Sequence, residues 1–307
     1  MRRPPPFWWS HCCAAAATKT SRTRRMRSTG WRRCRPTPGS CCTKSFCCAC
    51  ARCWLALVFR GAARCCLGIP GWKHDFAQGV AMARAADPIS LAGVIYYTYV
   101  PAIPSGALLP DATALCDTAD ALAIAERSAD EIALHVTQTA RGITLAHRND
   151  PEREAGFALL AQVRDAAVQQ RFALLIVPVV DIHLAEQKAR SGDLDGAIGL
   201  ARAVVEDLFD SGGAFSSAPA TAVLVESLLR RGGDKDVLDA QAAIDRLAAV
   251  PTDAGFVLHE IWLLRLRALL ARSRGDEAGY RDYRDRYRKF ATELGFEGHI
   301  ALAEAMT

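Results

Sequence analysis

Turn signals recur along this chain at a nearly constant interval, and that interval limits what the chain can fold into. Asp111, Asp150, Asp193, Asp234 and Asp276 each stand at or beside an expected helix N-cap, separated by 39, 43, 41 and 42 residues. Between them the apolar residues follow a helical rather than an alternating spacing, as in Leu115, Ala119 and Leu122, in Leu159, Leu160 and Val163, and in Leu200, Val204 and Leu208. Such spacing places one apolar stripe on a helix that buries a single face. Asp87-Pro88, Asn149-Asp150-Pro151, Ser191-Gly192-Asp193, Gly212-Gly213, Gly232-Gly233-Asp234, Val250-Pro251 and Gly275-Asp276 read as helix stops. Ser128 and Glu131 have the spacing of a capping box.

Each interval holds two helices and two turns. The expected class is therefore all-α: a TPR-like α-solenoid of helical hairpins with a period of about 40 residues, longer than the 34-residue tetratricopeptide unit. Alanines such as Ala240, Ala242, Ala243, Ala248 and Ala249 would let neighbouring helices approach closely. The competing architecture is a globular bundle of about ten helices. No βαβ pattern supports a nucleotide-binding sheet.

Composition divides the 307 residues in two. Residues 1–74 carry fifteen of the 38 Lys and Arg, none of the 33 Asp and Glu, and eleven of the twelve Cys. Average usage would place on the order of nine acidic residues there. Five readings compete. A secretory signal lacks its apolar core, since the longest run is Trp54–Phe59. A transit peptide fits poorly with Trp8, Trp9 and the Cys pairs. Cys47, Cys50 and Cys53 have CxxC spacing for zinc, although Cys12-Cys13, Cys41-Cys42 and Cys65-Cys66 do not. The reading that accounts for most of the composition is GC-rich DNA translated out of frame; a basic nucleic-acid tail remains the alternative. Residues 1–70 are thus read as a disordered, frameshift-like segment and 71–307 as the repeat domain. The remaining 233 residues are acidic and hold one cysteine, Cys116, which reads as a small buried hydrophobe and suits a reducing cytoplasm. No apolar run reaches the 18 residues expected of a membrane span.

The sequence offers no catalytic residue and no cofactor. Gly-Lys, G-x-G-x-x-G and G-x-S-x-G are all missing, so the phosphate-binding and nucleophile-elbow signatures are too. His183 and Glu186, at i and i+3 of an expected helix, could share a metal, but a di-metal bundle needs that motif twice. His135, His147, His259 and His299 stand isolated in sequence. Two stretches invite a partner. In Tyr280–Lys289, Tyr280, Tyr283, Tyr287, Phe290 and Leu294 form one stripe for packing, beneath the pairs Asp282–Arg286 and Asp285–Lys289. In Val94–Pro104 the aromatics exceed what one helix face buries, and Tyr96, Tyr97 and Tyr99 are expected near a contact with a missing upstream domain.

The stretches GWKHDF (Gly71–Phe76), AIPSG (Ala102–Gly106), PVVD (Pro178–Asp181), IWLLRLRALLA (Ile261–Ala271), YRDYRDRY (Tyr280–Tyr287) and LGFEGH (Leu294–His299) lie in order along the chain. They resemble the C-terminal helical-repeat region of large actinobacterial adenylate or guanylate cyclase–ATPase signalling proteins, some relatives of which are described as LuxR-type regulators. The resemblance implies a cyclase domain, then an ATPase domain, then this region; the family's metal-binding aspartates and phosphate loop match no position here. It also implies a truncated or frameshifted product beginning near Gly71, with protein or peptide partners on the repeat surface. The alternative is the effector-sensing part of a LuxR-type regulator. The chain stops at Thr307 without the helix-turn-helix such a regulator needs, and the acidic balance of residues 75–307 opposes nucleic acid.

Overall fold

The computed structural model describes residues 48–171 and 176–306, and the described residues form thirteen α-helices and no strand. In chain order these are α1 (Cys48–Cys66), α2 (Trp72–Ala83), α3 (Pro88–Ala102), α4 (Ala112–Ser128), α5 (Glu131–Ala146), α6 (Glu152–Gln170) and α7 (Val177–Arg190). They continue as α8 (Leu194–Ser211), α9 (Ala214–Arg231), α10 (Asp234–Ala248), α11 (Val257–Ser273), α12 (Glu277–Leu294) and α13 (Glu297–Glu304).

Short carboxylates cap five of these helices. Asp87, Asp111, Asp130, Asp193 and Asp276 occupy N-caps and accept hydrogen bonds from the amides of Ser90, Ala114, Ala133, Gly196 and Gly279, at 2.8–2.9 Å. Each such cap satisfies an amide the helix leaves unpaired and contributes about 1 kcal/mol. The five periodic aspartates all open even-numbered helices. Asp111, Asp193 and Asp276 cap α4, α8 and α12 directly. Asp234 is the first residue of α10, where Asp236 reaches back to the Gly233 amide at 3.1 Å. Asp150 precedes the N-cap Pro151 of α6 and faces Arg153. The capping box expected at Ser128 does not form. Helix α4 runs through Ser128, whose hydroxyl turns back to the Ala125 carbonyl at 2.8 Å, and Asp130 takes the cap.

The helices pack in two layers. Each odd-numbered helix from α1 to α11 touches the next odd-numbered one as well as its chain neighbours, whereas the even-numbered helices mainly touch their chain neighbours. Burial follows the layers. Inner α11 buries Val257, Leu258, Ile261, Trp262, Leu264, Leu266 and Leu270 around its circumference, while outer α12 buries only Tyr280, Tyr287 and Ala291. A helix that is apolar all round belongs inside, and a narrow stripe suits an outer one. This explains the crowded aromatics of α3, which is an inner helix with Leu91, Val94, Ile95, Tyr99 and Val100 buried. The backbones of α5 and α6 approach each other closely. A Cβ on Gly156 would stand 2.4 Å from the Ala146 amide nitrogen and 2.7 Å from the Gly142 carbonyl oxygen.

The two ends of the described chain meet. The His299 amide donates to the Gly106 carbonyl at 3.1 Å, Lys73 pairs with Glu297, and the Trp72 ring meets Phe296 edge-on at 6.2 Å between centroids. Gly298 lies so close to Gly106 that a Cβ would stand 2.7 Å from its carbonyl oxygen. In an open solenoid each unit packs only against the next, so this closure goes beyond the expected array.

Several expectations need correction. Helix α1 lies upstream of the expected boundary at residue 71 and packs into the fold. Helix α1 buries Val58, Ala62, Cys65 and Cys66, and Arg60 and Arg64 hold the buried Asp75 carboxylate of α2 at 2.5 and 3.1 Å. Residues 1–47, and with them the disorder and the Cys47 zinc reading, lie outside the described residues, as do the side chains of Cys50 and Cys53. Cys116 is exposed rather than buried, because it faces outward on outer α4 beside Asp120. Ala240 alone of the five alanines is fully buried, and Ala242, Ala248 and Ala249 face outward.

Replacing Gly156 with Ala is expected to destabilise the protein by about 1–3 kcal/mol in urea denaturation, as overpacking does. The same change at Gly199, which is exposed on α8 with nothing within 4 Å of its Cβ position, is expected to stabilise by about 0.5–1 kcal/mol.

Candidate functional site

The polar side chains that reach the interior come mostly from the inner helices. On α7, Val180, Ile182 and Ala185 hold the helix in the core, and His183 and Glu186 follow on one side at i and i+3. Helix α5 ends at Ala146 because Asn149-Asp150-Pro151 cannot continue it, so His147 becomes its C-cap residue. Inner α5 and α7 lie against each other, and this contact brings His147 to α7 across 36 residues of sequence.

The result is a cluster of three ligand-type side chains. One ligating atom each from His147, His183 and Glu186 lies within 4.8 Å of the others. The two imidazoles meet edge to face, with centroids 5.2 Å apart at 83°. His183 is 2 % exposed, and neither of its ring nitrogens has a hydrogen-bond partner; the same is true of the buried Nε2 of His147. An unsatisfied buried polar atom costs about 1–3 kcal/mol, so three in one place require a cause. Glu186 accepts Nε and Nη2 of Arg190 at 3.1 and 2.8 Å, both on Oε1, which leaves Oε2 open to another partner.

Electrostatics fixes the charge states here. Burial pushes the His183 pKa down to about 3, with His147 adding to the effect. Burial lowers His147 too, against the opposing pull of Glu186. Burial alone would raise Glu186, but His147, Arg190 and His183 hold it below the usual carboxylate range. At neutral pH the cluster is two neutral imidazoles and one carboxylate. His147 also borders an open groove lined by Leu109, Pro110, Asp111, Arg148, Asn149 and Glu297, beside the contact between the two ends of the described chain.

Among the described residues, the other buried histidines have structural partners. His299 is fully buried, with Nε2 2.8 Å from the Ser105 carbonyl and Nδ1 2.8 Å from the Tyr287 hydroxyl. A carbonyl only accepts, so Nε2 carries the proton and Nδ1 accepts from Tyr287. The ring also packs edge-on against Trp262 at 4.7 Å. Nδ1 of His135 lies 2.7 Å from the Glu131 carbonyl. His259 lies 3.2 Å from Ser217, but both are enclosed between α9 and α11 rather than set in a cleft.

The remaining residues singled out by the sequence serve packing. Tyr99 is buried and donates to Asp117 at 2.6 Å. Tyr97 and Tyr96 are half-buried; Tyr97 lies 5.6 Å from Phe59 of α1 and 5.4 Å from Tyr96. This face of α3 thus packs against α1, upstream of the expected boundary at residue 71. On α12, Tyr280 and Tyr287 are buried, with Tyr283, Phe290 and Leu294 against the core. The Asp282–Arg286 pair forms at 3.2 Å, but Asp285 pairs with Arg284 and Lys289 with Glu293. No helix among the described residues is long and apolar enough to cross a membrane.

Sequence reading identified His183 and Glu186 as a pair but left His147 isolated, because nothing in the spacing of His147 links it to α7. No family model, no curated protein and no solved structure matches this chain.

Burial and the Arg265 charge also hold His299 neutral, with its pKa pushed down to about 3. The unfolded chain protonates this site below about pH 6.5, so the stability it contributes is present above pH 6.5 and is lost as pH falls towards 3. Urea denaturation between pH 7 and 5 is expected to show stability falling with pH. His299→Gln, which keeps an acceptor and a donor but cannot titrate, is expected to reduce that slope by about 1.4 kcal/mol per pH unit near pH 5. Tyr287→Phe, measured the same way at pH 7.5, is expected to cost about 1–3 kcal/mol by leaving Nδ1 unpaired.

Proposed function

We propose that this chain is a non-catalytic helical-repeat region that binds protein or peptide, built as a TPR-like array with a period near forty. The observation that carries this reading is the regular opening of α4, α6, α8, α10 and α12 at or beside the five spaced aspartates, together with the alternation of inner and outer helices. Repeats of this kind bury a continuous core by stacking, and they leave an extended surface for partners. The phosphate-binding motifs Gly-Lys and G-x-G-x-x-G are missing from the sequence, which supports a binding role over nucleotide chemistry.

The ordered phrases from Gly71 to His299 support a place beside cyclase and ATPase domains, with this region in a regulatory role. Its partner would then be such an ATPase or cyclase domain rather than DNA, which the acidic balance of residues 75–307 disfavours.

Purified full chain incubated with ATP or GTP and Mg²⁺ or Mn²⁺ is expected to release no phosphate and to form no cyclic nucleotide. Turnover that tracks the chain through purification would overturn the reading. An isolated ATPase domain from a protein of the resembling class is expected to bind the chain in calorimetry, with weakening at high salt if charged surfaces meet.

A further inference from the structure

The His147–His183–Glu186 cluster has the composition of a transition-metal site, and we propose that it binds one divalent first-row cation of the zinc type. Two imidazoles and one carboxylate suit Zn²⁺, Co²⁺, Ni²⁺ or Fe²⁺, whereas Mg²⁺ and Ca²⁺ prefer oxygen ligands throughout. Three protein ligands with a fourth position left to water is also a common zinc arrangement.

Three observations point the same way. His183 is 2 % exposed with both ring nitrogens unpartnered, and the unpartnered Nε2 of His147 belongs to the same cluster. A pair of histidines kept only for packing would leave these atoms without compensation; a cation coordinates one lone pair from each ring. Next, Arg190 occupies only Oε1 of Glu186, so Oε2 remains for a metal while Arg190 fixes the carboxylate, as an outer-shell partner does. Finally, His147 borders an open groove and Glu186 is partly exposed, so two of the three ligands can be reached from solvent.

The geometry needs a modest adjustment. Metal–ligand bonds of about 2.0–2.1 Å at tetrahedral angles place ligand atoms roughly 3.3 Å apart. The present spread reaches 4.8 Å, so rotation about the χ angles of His147 and Glu186, both only partly buried, must close the difference. The charges of Arg153 and Arg190, both felt at His147, work against a cation, and the Glu186 carboxylate opposes them.

The test must separate this cluster from the eleven cysteines before His74, which take up the same ions as thiolates. Full-length protein is titrated with Co²⁺ under reducing conditions and compared with Glu186→Gln and His183→Leu, with Cys116→Ser as a control. The expected result is one equivalent of Co²⁺ whose visible d–d bands lack near-ultraviolet thiolate charge transfer. Zn²⁺ should displace it. Both site variants should lose that equivalent or bind it at least about 10-fold more weakly, and the control should retain it. Saturating Zn²⁺ should raise the Tm of the wild type more than that of Glu186→Gln. If the spectrum, stoichiometry and Tm response are the same in wild type and Glu186→Gln, or if only thiolate bands appear, the proposal fails. Glu186 is partly exposed, so Glu186→Gln decides the matter even if His183→Leu does not fold.

Discussion

A helix that is apolar on every side must be enclosed, and α3 and α11 are such helices. Their burial forces the two-layer arrangement: inner helices stacked on one another, with outer helices of narrower stripe covering them. Fully burying one Leu or Ile contributes about 1.5–3 kcal/mol, and α11 alone buries Leu258, Ile261 and Leu266 almost completely. The close seam at Gly142 and Gly156 belongs to the same demand, since backbone contact between α5 and α6 leaves no room for a side chain between them.

The same constraint traps polar groups. Because the inner helices face one another, any polar residue on their buried faces must find a partner inside the molecule. His299 does so through Ser105 and Tyr287, and Arg265 through Glu226, although Nε of Arg265 stays unpaired. His147 and His183 do not, and that contrast sets their cluster apart from ordinary core histidines. Buried polar networks are costly when incomplete, so an incomplete one concentrated at a single point carries more information than any of its residues alone.

The closure of the chain ends joins these themes. Glu297, Gly298 and His299 are adjacent in sequence, and each makes a different contact with the region from Lys73 to Leu109: an ion pair, a backbone approach and a buried hydrogen bond. This seam also shapes the groove beside His147, with Leu109 and Glu297 on its wall. The groove therefore depends on a contact between residues 188 positions apart.

Much of the local structure was legible in the sequence. Helix existence, the stops at Gly212 and Gly232, and the aspartates opening the outer helices all follow from interactions within four residues, which a sequence displays directly. Where two local solutions competed, as at Ser128 and Asp130 or along Asp282–Lys289, the side chain with the better reach to the unpaired amide or cation won. Sequence alone could not place Cys116 outward, bring α1 into the fold against Tyr97, or carry His147 to His183 and Glu186. Those outcomes depend on which faces meet once the helices stack, and stacking is decided by shape and burial across the whole molecule rather than by spacing along the chain.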